Sequence, residues 1–112
     1  MADPTQTDAD KYRVIFENDR VRVLEYRDEP GQQTSPHEHP DSVMVTLSAF
    51  DRRLVAEDGT SRDVTLAAGE VRWLDAQVHS GENTGATPTH VVFVELKEDG
   101  APRRTADALG PA

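Results

Sequence analysis

The sequence predicts a single all-β domain, an antiparallel barrel or two-sheet sandwich. Three observations carry this expectation. Apolar and polar residues alternate with a period of two along most of the chain. Proline and glycine recur at 30–31, 36, 40, 59, 69, 81, 85 and 88, a spacing that breaks any long helix. The chain has 112 residues, enough for one hydrophobic core and too few for two.

The elements follow in order. Tyr12, Val14 and Phe16 alternate with Arg13, Ile15 and Glu17 and make a first strand, and Asn18-Asp19 makes a turn. Val21 and Val23 then set one phase, while Leu24 and Tyr26 continue in the other. That shift calls for a β-bulge or a two-sided strand near Val23-Leu24. Val43, Val45 and Leu47 form one face of the next strand. Residues 54–57 and 63–66 flank Asp58-Gly59, a pair that fits a two-residue type I′ hairpin turn. Gly69 opens a strand over 70–74. The last strand, 91–97, is apolar at both parities and is expected at the centre of a sheet. Residues 1–10 carry three aspartates and few apolar side chains; with 98–112 they read as poorly ordered tails around a domain spanning 11–97.

Charge and composition narrow the function. The chain has 21 acidic and 12 basic residues, a formal charge of −9, which repels phosphate backbones and anionic membranes. Neither nucleic acid nor membrane is expected as a partner. Cysteine is absent, which excludes disulfides and thiolate catalysis. No apolar run nears the ~20 residues of a membrane span, and the acidic start, Met1-Ala2-Asp3-Pro4, is unlike a signal peptide, so a cytoplasmic location is expected. There is no Gly-rich phosphate loop, nucleophile elbow or paired catalytic carboxylate.

What remains is histidine. His37 and His39 lie in Pro36-His37-Glu38-His39-Pro40. In an extended segment, residues i and i+2 share a face with Cα atoms about 7 Å apart, so both rings can converge on one ion. His79 comes forty residues later, and His90 reads as a strand-entry residue. Gly31 stands six residues before His37, Gly69 ten before His79, and Asn83 four after it, giving G-x5-H-x-H and H-x3-N blocks. This arrangement resembles the cupin superfamily over about 12–97. The run Gly69-Glu70-Val71-Arg72-Trp73-Leu74-Asp75-Ala76, followed by His79, resembles its very small single-domain (cupin 2-like) members, and a branch of them linked to β-alanine degradation.

The resemblance implies a jelly-roll β-barrel, a homodimer, and one divalent transition metal per chain held by His37, His39 and His79. The chain departs from the family at several places. The usual carboxylate ligand is replaced by Val43 or Met44, Asp75 and Gln77 stand where a Pro-x-Gly is usual, and His79 comes one residue early. Asp41 is the nearest substitute carboxylate, though Pro40-Asp41 reads as a turn. Neutral imidazoles leave an ion its full 2+ charge, which favours a small anionic ligand. The expected function is a three-histidine metalloenzyme acting on a small organic acid or dicarbonyl, dioxygenase-like, with iron, zinc, nickel, manganese or copper. The alternatives are a non-catalytic ligand-binding or metal-sensing cupin and, more weakly, a structural dimer with a vestigial site. No residue is identified as the catalytic acid or base. Val43, Val45, Leu47, Val71, Trp73, Val92, Val94 and Leu96 are expected to line the pocket. Glu82 is expected to face out, Asn83 to serve the turn before Gly85, and the Tyr12–Phe16 segment to form the dimer edge.

Overall fold

The computed structural model describes residues 3–97. It is all-β except for one helical turn, α1 (Pro4–Thr7). The strands are β1 (Tyr12–Glu17), β2 (Val21–Asp28), β3 (His37–His39), β4 (Ser42–Thr46), β5 (Phe50–Ala56), β6 (Ser61–Leu66), β7 (Val71–Leu74), β8 (Gln77–Asn83) and β9 (Thr89–Leu96). They form a five-stranded sheet, β1-β2-β9-β4-β7, and a four-stranded sheet, β3-β8-β5-β6, with every strand pair antiparallel. This is the jelly-roll architecture that the alternation predicts. Strand β9, apolar at both parities, is the middle strand of the larger sheet. The bulge falls where the phase shift asks for one: Val14 pairs with Leu24 and Phe16 with Val23, so the extra residue, Ile15, is on β1. The β5–β6 connection takes four residues rather than two. Gly59, at φ 90°, donates its N–H to the Ala56 carbonyl, and the strands pair only from Val55 and Ser61. Among the described residues no helix is long and apolar enough to cross a membrane.

The core is small: Tyr12, Leu24, Tyr26, Met44, Phe50, Val91 and Phe93, flanked by Leu66 and Leu74. Buried beside it is a polar network. Arg52 Nη1 donates to Asp28 Oδ2 at 2.7 Å and to Thr89 Oγ1 at 3.2 Å, the Tyr26 hydroxyl donates to Asp28, and Asn83 Nδ2 donates to Asp28 Oδ1 at 3.1 Å. These charges are tolerated inside because each meets an opposite charge or a hydrogen-bonding partner.

Two expectations are corrected here. The first is parity. Ser42, Met44 and Thr46 are buried in β4, and Val91, Phe93 and Glu95 in β9, while Val43, Val45, Val92 and Val94 sit on the other face. The register runs Phe16, Val23, Val94, Val43 and Trp73 in one row across all five strands of that outer face. Leu47, Val71, Trp73 and Leu96 are exposed. Even spacing counted from His39 fails because β3 and β4 belong to different sheets, and the chain changes sheets at Pro40-Asp41.

The second is the N-terminal tail. Asp3 caps α1, accepting the Thr5 N–H at 2.8 Å, with Pro4 preset for the first turn. Asp8 is buried and accepts the Ser35 N–H at 3.1 Å. Composition marks such a segment as solvated, but two of its aspartates have specific partners on the barrel. The C-terminal tail expected over 98–112 lies outside the described residues.

Candidate metal centre

Strand pairing assembles the three histidines. In the β3–β8 ladder His37 is directly opposite His79, and His39, two residues along, is opposite Gln77. The same side of β3 therefore carries His37 and His39, with His79 beside them. Residues before β3 hold it against β8: the Thr34 N–H donates to the Gly81 carbonyl, and the Gly81 N–H to Thr34 Oγ1, each at 2.9 Å. The rings pack edge to face with centroids 4.7, 5.0 and 5.1 Å apart. One nitrogen from each lies within 4.8 Å of the others. His37 and His39 are 1% and 2% exposed.

Two of the rings have a fixed tautomer. His37 Nδ1 lies 2.7 Å from the Ser35 carbonyl, which can only accept, so Nδ1 carries the proton. His39 Nδ1 donates to Glu95 Oε2 at 2.8 Å. Each ring thereby keeps a lone pair on Nε2, the nitrogen a metal would take. His79 differs: its Nδ1 is buried with no hydrogen-bond partner among the described residues. A buried nitrogen without a partner is costly, and a cation bound at that nitrogen would answer the cost. The three side chains fit a divalent transition ion by donor type as well.

Supports run outward from this cluster. Glu95, 2% exposed, also meets Arg22 at 2.8 Å, and Arg22 meets Asp3 at 2.8 Å. Asp8 Oδ2 lies 3.6 Å from His37 Nδ1. The segment expected to be a tail thus braces both histidines of β3. Above the rings opens a cavity of about 270 Å³ that His37 and His79 line. Of the eight expected lining residues, Trp73 alone contributes; Met44, Val91 and Phe93 line it from the inner faces of β4 and β9, and Tyr12 and Tyr26 from β1 and β2. Tyr12, expected at a dimer edge, points inward: its Oη is 3.4 Å from both His37 Nε2 and His39 Nε2.

Other residues fall where the sequence puts them or turn away. His90 sits near the start of β9 and pairs with Glu25 at 2.7 Å, clear of the cluster. Asn83 Oδ1 accepts the Gly85 N–H at 3.0 Å, the turn role expected of it. Asp41 is exposed and accepts the Ala76 N–H at 2.8 Å, so it is not placed as a fourth ligand. Sequence reasoning missed Glu95 and Tyr12. For Glu95 a signal was there, an acidic residue inside an otherwise apolar central strand; for Tyr12 there was none beyond its place on a strand.

No family model matches this chain, and no curated protein does. Solved structures match well. A cupin-domain protein from Bordetella pertussis Tohama I is 30% identical, over 77% of this chain and 91% of its own, with a TM-score of 0.70. This chain belongs to the cupin superfamily. An uncharacterized conserved protein with a double-stranded β-helix domain from Klebsiella pneumoniae is 25% identical over 80% of this cupin and 78% of its own chain, with a TM-score of 0.61. The polyketide cyclase RemF from Streptomyces resistomycificus shares the fold, at 20% identity and a TM-score of 0.57, over 76% and 63% of the two chains.

The burial has a pH consequence. Burial first, then the neighbouring His39 and His37, push the His79 ring down to about 3, and burial followed by His39 lowers His37. In the unfolded chain these rings protonate near ~6.5. Between the two values the unfolded state binds more protons, so stability is full above about pH 6.5 and falls as pH falls. For the metal-stripped cupin, urea midpoints should drop from pH 7 to pH 5, His79 contributing up to about 1.4 kcal/mol per pH unit. His79→Leu should flatten that loss; an equal loss in the variant would show that His79 is not held neutral by the fold.

Proposed function

We propose that this cupin binds one divalent transition metal per chain through His37, His39 and His79, and that a small anionic oxygen ligand, an organic acid or dicarbonyl, enters the cavity above it. The observation that carries the reading is the convergence of three buried imidazoles, two with their Nδ1–H groups satisfied by protein and the third with an unpartnered Nδ1. The ion would supply Lewis acidity and, with iron or copper, access to oxygen chemistry. The chain's own residues set the rest. Ser35 and Glu95 orient the ligand rings, and Phe93, Met44 and Val91 exclude water. An anionic ligand is supported by guanidinium groups along the cavity. Arg52 is committed to Asp28 and Arg72 to Glu70, while Arg62 has no hydrogen-bonded partner among the described residues.

Oxygenase-type turnover is the first reading. One observation favours the second, a non-catalytic ligand-binding or metal-sensing cupin: among the described residues no carboxylate lines the cavity, so an acid or base would have to be a tyrosine or a histidine. The branch linked to β-alanine degradation is supported by the 69–76 run alone.

The test is metal uptake by the purified, chelator-stripped protein, followed by oxygen consumption over a panel of keto acids and diketones. One equivalent of Zn(II) or Fe(II) should bind and raise the melting temperature. His39→Ala should abolish most of that rise and His90→Ala should leave it intact. Glu95→Gln, which weakens the orientation of His39, should cost about 10–100-fold in metal affinity. Full stabilisation in His39→Ala would rule the site out.

A further inference from the structure

We propose that Tyr12 Oη is a fourth ligand to the ion, an inference that rests on the three-histidine reading. Tyr12 Oη stands 3.4 Å from His37 Nε2 and 3.4 Å from His39 Nε2. That is long for an O–H···N hydrogen bond to either. It suits two atoms bound to one ion, because ligands about 2.0–2.2 Å from a tetrahedral centre stand roughly 3.3–3.6 Å apart. The ring cannot swing aside easily. It is 7% exposed and packed against Tyr26 and Phe93, with centroids at 4.6 and 6.2 Å.

The position is open for an oxygen donor. Met44 offers only a thioether, Val43 faces outward, Asp41 is engaged with the Ala76 N–H, and Glu95 is spent on His39 and Arg22. When the oxygen–metal bond forms, the phenol O–H breaks and its proton passes to water. The centre then carries 1+ rather than 2+, and no oxidant or reductant is consumed.

The probe is Cu(II) added to the stripped full-length protein. A metal-bound phenolate gives a visible charge-transfer band and, under excitation in that band, resonance-enhanced tyrosinate ring modes. The chain has two tyrosines, and the Tyr26 hydroxyl is engaged with Asp28. The wild type should show both signals. Tyr12→Phe should lose them while still binding Cu(II) in calorimetry, about tenfold or more weakly; Tyr26→Phe should keep them. The Raman modes test the wild type directly, whatever the variants' folding. Copper bound without the band, or a band that survives Tyr12→Phe, overturns the tyrosine ligand and leaves the three-histidine site standing. No copper bound by the wild type overturns both.

Discussion

Two buried N–H donors decide how this barrel's interior is arranged. His37 Nδ1–H is answered by the Ser35 carbonyl and His39 Nδ1–H by Glu95. Because both protons are used on the protein side, both Nε2 lone pairs stay available inside the barrel, each 3.4 Å from Tyr12 Oη. Much of the surrounding structure follows from keeping those two answers in place. Glu95 needs a cation to be buried at all, and Arg22 supplies it; Arg22 is in turn steadied by Asp3 beside α1. Ser35 is held by Asp8. The short N-terminal segment is therefore part of the site's support.

The same requirement explains an inverted polarity. In an ordinary sandwich the inner face of each strand is the apolar one. Here the inner positions of β9 and β4 include Thr89, Glu95, Ser42 and Thr46, while their outer positions include Val43, Val45, Val92 and Val94. The interior must hold a polar donor set and a cavity, so it gives up part of its hydrocarbon. The outer face retains apolar surface that an isolated barrel would expose to water.

Legibility in the sequence divides along that line. Strand positions, the Val23-Leu24 phase break and the central place of β9 followed from backbone period and turn chemistry, which are local. The convergence of His37, His39 and His79 was legible because the i, i+2 rule covers the first pair and the two-block spacing brings in the third. Facing was not legible: Val43 and Val45 look like core by type, and only the sheet change at Pro40-Asp41 shows otherwise. Tyr12, Asp8, Asp3 and Glu95 were hidden for a related reason. Each acts through a partner 19 to 73 positions away by tertiary contact (Tyr12 on His37, Asp8 on Ser35, Asp3 on Arg22, Glu95 on His39 and Arg22), and no local pattern encodes such a contact.

The central claim is that three imidazoles of one chain hold one ion. X-ray absorption at the zinc edge of the protein loaded with one equivalent of Zn(II) tests it most directly. The account predicts a nitrogen and oxygen first shell near ~2.0–2.1 Å with the multiple-scattering signature of three imidazole rings. A shell of oxygen alone, or one with fewer than two imidazoles, would contradict it.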